Sequence, residues 1–178
     1  MKTTALLATV LLSGVAFAQA EAPAEKPAEA TAESPVLKEA TQVLTQYLNA
    51  VKAKKWADAK KLVHAKTLAA IAERKKRLGK EAHAMAPWAL EKTDYWMKDY
   101  RLGKAHEGPM GTVLVETSED NFQVEEKGVA EGDAATYLLG KTGGKWFVVD
   151  KQRGGGFSDD SIKLGYKGWF DKVVKKEE

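Results

Sequence analysis

Residues 138–157 read LLGKTGGKWFVVDKQRGGGF, and the fold turns on whether this is a phosphate-binding loop or a strand with a turn at each end. A phosphate-binding loop needs Gly-x-x-x-x-Gly-Lys-Ser/Thr between a strand and a helix, so that backbone N–H groups and a helix N-terminus hold the anion. Counting back from Gly140, the first glycine of that pattern falls on Ala135. Gly143-Gly144 then runs into Trp146-Phe147-Val148-Val149, an aromatic and β-branched stretch rather than a helix opening. Residues 141–144 therefore read as a hairpin turn whose glycines supply positive φ. The glycines at 154–156 lack the Gly-x-Gly-x-x-Gly spacing and read as an exit from a sheet. GFSDD at 156–160 fails as a nucleophile elbow, because Asp160 stands where the closing glycine belongs.

Around this hairpin the chain divides by period. YWMKDYRLGKA (95–105), GTVLVETSE (111–119), DAATYLLGK (133–141) and KWFVVDKQ (145–152) are four strand-like runs separated by turn residues, as in an antiparallel meander. In the last run Trp146, Val148 and Asp150 share one face by simple alternation, and Phe147 and Val149 share the other. Apolar residues on both faces imply a sheet with helices on one side and something enclosed on the other. Upstream, Ser34-Pro35 opens a helix with apolar residues at Leu37, Ala40, Leu44, Leu48 and Val51, the helical period. WADAKKLVHAK (56–66) reads as a short second helix, and Thr67 as the cap of a third, TLAAIAERKKRL, ended by Gly79. Residues 80–93 read as helical to Ala86 and again from Pro87. A last helix over about 159–175 sets Ile162, Tyr166, Trp169, Phe170 and Val173 on one side. The fold class is α+β: N-terminal helices on a curved antiparallel sheet, plus a C-terminal helix.

The N-terminus reads as an address. Lys2, the apolar run from Ala5 to Val15 and the Ala18-Gln19-Ala20 cleavage site make residues 1–20 a secretory signal peptide. The run is shorter than the roughly 20 residues of a bilayer span, so no stable membrane anchor is expected. The general secretory route would deliver the chain to the periplasm or beyond. Residues 21–35, EAPAEKPAEATAESP, have almost nothing to bury and read as a disordered linker. Residues 36–178 form one domain, which must rest on its own core, since the chain has no cysteine. A formal net charge of +3 with no basic stripe gives no reason to expect nucleic acid as a partner.

The order of elements resembles the nuclear-transport-factor-2-like superfamily, whose bent sheet wraps around a pocket closed by helices. The resemblance rests on Tyr47-Leu48-Asn49-Ala50-Val51, on Trp56-Ala57-Asp58-Ala59-Lys60-Lys61-Leu62, and on Gly144-Lys145-Trp146-Phe147-Val148-Val149-Asp150. It spans residues 36–153. It implies either a small lyase or isomerase, as in ketosteroid isomerase, scytalone dehydratase and polyketide cyclases, or a binding or assembly module without chemistry. No local motif of the enzymes is found here, and a non-enzymatic binding domain is the expected reading.

A pocket acid–base group would be an ionisable side chain on the concave face. Asp150 is the carboxylate to test, against the plainer reading of a strand-end residue in solvent. Tyr47, Tyr95, Trp146 and Val148 are the candidate lining of a pocket for a small apolar ligand. Glu116, Glu119, Asp120, Glu125 and Glu126 lack the calcium-loop pattern and read as a solvated hairpin end. His64, His83 and His106 have no ligand spacing, so neither metal nor cofactor is expected. Tyr166, Trp169 and Phe170 on the last helix would dock on the domain's own sheet or on a partner, including a second copy in a homodimer.

Overall fold

The computed structural model describes residues 34–78, 95–123 and 128–171. Helix α1 (Pro35–Lys52) starts at Ser34, with proline at its first turn. The Ser34 hydroxyl makes no cap and instead donates to Glu107 Oε1 at 3.1 Å. The helix ends in a Schellman turn. Lys54 takes φ +58°, Lys54 N–H donates to the Val51 carbonyl, and Lys55 N–H to the Ala50 carbonyl. Helix α2 (Trp56–Lys61) and helix α3 (Ala65–Leu78) follow. Thr67 does not cap α3, which begins two residues earlier; its hydroxyl donates to the Val149 carbonyl at 2.5 Å.

Four strands, β1 (Tyr95–Glu107), β2 (Val113–Gln123), β3 (Gly128–Thr142) and β4 (Lys145–Arg153), form one antiparallel sheet in the order β1-β2-β3-β4. The meander expected from the turn residues is what forms. Gly143 and Gly144 sit at φ +58° and +75° in the β3–β4 hairpin, the pair of positive values that a two-residue turn of this hand requires. Every strand pair carries a register shift, and such bulges bend a sheet. At the free edge of β4, Val148 N–H donates to Leu62 and His64 N–H to Val148, so residues 62–64 cover part of that edge.

The sheet buries both faces. On the inner face α1 lays Ala40, Leu44, Tyr47, Leu48 and Val51 against Val113, Val115, Tyr137, Leu139, Trp146 and Val148. On the outer face Leu114, Leu138 and Val149 pack with Ile162 of helix α4 (Asp159–Gly165). Tyr166, Trp169 and Phe170 close over that second core, so these aromatic side chains dock on their own domain. The last helix is shorter than the spacing suggests. It stops at Gly165, and residues 166–171 are not helical, with Gly168 at φ +75°. No helix among the described residues is long and apolar enough to cross a membrane.

The segment after α4 is strapped to the β3–β4 hairpin. Both Asp171 carboxylate oxygens accept turn N–H groups, from Gly143 at 3.1 Å and Gly144 at 2.9 Å. Those two donors hold the Asp171 carboxyl below its ordinary value. The glycine turn thus does bind an anion, and the anion is the chain's own. Trp169 stacks on the buried His64 ring at 5.3 Å. His64 Nδ1 accepts the Lys66 N–H at 3.3 Å, and Nε2 lies 3.3 Å from the Thr142 hydroxyl, which itself donates to the Trp169 carbonyl. That set of partners fits the neutral ring. Burial, and secondarily the Lys66 charge, hold His64 below its ordinary 6.5. With the folded pKa lowered, the unfolded chain binds more protons just below pH 6.5, so stability falls as pH drops through that window. The expected result is a urea midpoint lower at pH 5 than at pH 7.5, with most of the difference absent in His64→Asn. An unchanged slope in the variant would assign the effect elsewhere.

Candidate functional site

The inner face is graded along the strands. Near the β3–β4 hairpin it is apolar, and toward the other end of β2 and β3 it becomes ionic. Strand β2 turns Val113, Val115, Thr117, Glu119 and Asn121 to this face, and β3 turns Tyr137, Ala135 and Asp133. Strand β4 completes it, because its parity changes. Leu139 pairs with Val148 but Leu138 pairs with Asp150, leaving Val149 as the extra residue of a bulge. One inserted residue moves every later side chain to the opposite face.

The consequence overturns one reading of the sequence. Asp150 does not share a face with Trp146 and Val148. It lies on the outer side, where its carboxylate accepts a short hydrogen bond from the Tyr166 hydroxyl. Burial and that carboxylate push the Tyr166 phenol well above its ordinary range. Asp150 is thus one more fastening of the C-terminal segment. Tyr166→Phe is expected to cost about 1.5–3 kcal/mol, as for a hydrogen bond to a charged group, read from urea unfolding. A loss below about 0.5 kcal/mol would remove this role.

The bulge brings Lys151 inward instead. Its ammonium sits 2.6 Å from Glu119 Oε2, with the two side chains 2% and 1% exposed. Tyr137 donates its hydroxyl to Glu119 Oε1 at 2.6 Å, and Thr117 reaches the same oxygen at 3.3 Å. Lys151 also lies 5.2 Å above the Tyr137 ring, a cation–π contact. Burial drives the Lys151 amine below its ordinary value, against the opposing pull of Glu119. Asn121, fully buried, directs Nδ2 at Glu119 Oε2 (3.5 Å) and at Asp133 Oδ2 (3.1 Å). Its carbonyl oxygen Oδ1 has no partner. Asp133 pairs in turn with Arg153 at the surface.

Glu119 is therefore not part of a solvated hairpin end; it is the centre of a buried polar network. The sequence carried half of the signal. Val113, Val115, Thr117 and Glu119 have one parity, so an inward Val113 commits Glu119 inward as well. Lys151 could not be found that way, because the bulge at Val149 is invisible to alternation.

The other candidates sort as follows. Tyr47, Trp146 and Val148 lie together on the inner face, each under a tenth exposed and packed in the α1 core. Trp146 Nε1 donates to Glu39, which also meets Lys141. Tyr47 meets Tyr137 edge-on at 6.0 Å. The Tyr95 side chain, His83, Glu125 and Glu126 lie outside the described residues. Among the described residues no group of three or more histidine, aspartate or glutamate side chains is placed to hold a metal ion. No family model, no curated protein and no solved structure matches this chain.

Proposed function

We propose that this chain is an exported binding domain and that its ligand site is the ionic end of the sheet's inner face. The observation that carries the reading is Asn121 Oδ1, a buried acceptor without a partner beside a solvent-excluded Glu119–Lys151 pair. An unmet buried polar atom costs about 1–3 kcal/mol. A buried ion pair is often no better for stability than apolar residues of the same size. Groups retained at such a cost are candidates for a functional site.

The apolar part of the inner face supports a different use. Tyr47, Trp146 and Val148 are already covered by α1, so an apolar ligand there would have to displace a helix. Tyr166, Trp169 and Phe170 are engaged with the outer face, which leaves the ionic end as the place for recognition. The likeness to the nuclear-transport-factor-2-like superfamily, with its pocket inside a bent sheet, supports the same location. The leader at residues 1–20 supports export by the general secretory route, to the periplasm or the medium.

The test is thermal unfolding of the purified chain with acetate, methylammonium and glycine as probes. A probe at about ten times its Kd adds about 1.4 kcal/mol, a rise of a few degrees in Tm. At least one probe should give that rise, and Arg153→Gln should abolish it. No rise with any probe overturns the proposal.

One observation favours a second reading, an acid–base lyase or isomerase. Tyr137 and Lys151 both touch the Glu119 carboxylate, each at 2.6 Å, which is a path for a proton. In that case Tyr137→Phe would cut turnover of a bound compound by about a hundredfold or more. A binding domain would keep its affinity within a few-fold.

A further inference from the structure

We infer, building on the binding reading above, that the ligand is a small zwitterion carrying both an ammonium and a carboxylate group. The ionic end balances its charges: Glu119 and Asp133 against Lys151 and Arg153. A ligand with one net charge would leave the cluster unbalanced in a place with little water, which is costly. A ligand with both charges keeps it neutral.

The donors and acceptors are also sorted in space. The two hydrogens of Asn121 Nδ2 are directed at two carboxylates. Turning the amide over would set its oxygen against those same oxygens, so its orientation is fixed. What remains is Oδ1, which accepts only a donor. Asp133 lies next to it through Nδ2, so Oδ1 and the Asp133 carboxylate together suit an ammonium. Arg153 faces Asp133, and a guanidinium fork matches a carboxylate.

Entry is set by exposure. Side chains of Arg153 and Asp133 are 40% and 29% exposed, whereas Lys151 and Glu119 behind them are closed off. A zwitterion inserted between Arg153 and Asp133 gives each a partner of the sign it now has. Its ammonium gains Asn121 Oδ1 as an additional acceptor. The exchange therefore separates one surface pair, replaces both halves of it, and satisfies the interior acceptor. Lys151 keeps Glu119 and takes no direct part.

The experiment is a ¹H–¹⁵N NMR titration of the full chain near pH 7, following the Asn121, Asp133 and Arg153 amides. The probes are glycine, β-alanine and γ-aminobutyrate, with acetate and methylammonium as single-charge counterparts. The expected result is saturable shifts with at least one zwitterion, which binds about tenfold or more tighter than either single ion, the worth of one charge-assisted hydrogen bond. Arg153→Gln and Asp133→Asn, both at the rim, should each weaken it by a similar factor. If acetate or methylammonium binds as well as the best zwitterion, the ligand class is wrong while the site stands. If no probe shifts these amides, both the class and the site fall. The wild-type titration decides alone if either variant does not fold.

Discussion

Lys151→Met alone is expected to destabilise the domain by about 3–5 kcal/mol, because it leaves the Glu119 carboxylate buried without its counter-charge. The Tyr137 and Thr117 hydroxyls would remain, and two neutral donors do not replace an ammonium at 2.6 Å. Protonation of Glu119 is the expected escape, so the loss should be smaller at pH 4 than at pH 8. Glu119→Leu combined with Lys151→Met should return to within about 1 kcal/mol of the wild type, since an apolar pair removes both desolvation terms. Urea unfolding of the four proteins closes this cycle. If the single Lys151 variant is as stable as the wild type, the pair is not isolated from solvent as its burial indicates.

The second large effect lies on the outer face. A Cβ on Gly140 would stand 2.2 Å from Phe170 Cε1 and 2.3 Å from Cδ1, well inside contact distance. Gly140→Ala must therefore expel the Phe170 ring. Phe170 sits in the same strap as Trp169 and Asp171, so its contacts to His64 and to the Gly143–Gly144 turn loosen with it. The expected cost is about 1–3 kcal/mol, typical of overpacking. In a Phe170→Ala background the same glycine substitution should cost almost nothing. An equal cost in both backgrounds would show that the glycine serves the strand itself rather than the ring above it.

Much of the fold was legible because its signals were local. Two adjacent glycines between apolar strands specified the β3–β4 hairpin, and Ser34-Pro35 with a helical apolar period specified α1. The final helix misled because Ile162, Tyr166 and Trp169 keep helical spacing across Gly165 and Gly168. Those glycines end the helix, and the aromatic residues reach the sheet from an irregular strap instead. Thr67 looked like a cap, but pairing of residues 62–64 with β4 sets where α3 begins.

The site was less legible, for a definite reason. Strand alternation places Glu119 inward, yet its acidic neighbours Glu116 and Asp120 made the whole stretch look solvated. Asp150 and Lys151 exchanged faces through one bulge residue, Val149. Bulges arise from pairing between strands, and nothing in the residues of β4 alone announces one. Sequence could thus find the strand carrying the key residue while choosing its neighbour.

Whether the buried pair serves binding or only folding can be decided with one comparison. Glycine or its best zwitterionic homologue is titrated into the wild type and into the Glu119→Leu, Lys151→Met double variant, with Tm as the readout. The expected result is a dose-dependent rise of a few degrees for the wild type and none for a double variant that is folded and about as stable. An equal rise in both proteins, or none in the wild type, would contradict a binding site at the ionic end of the sheet.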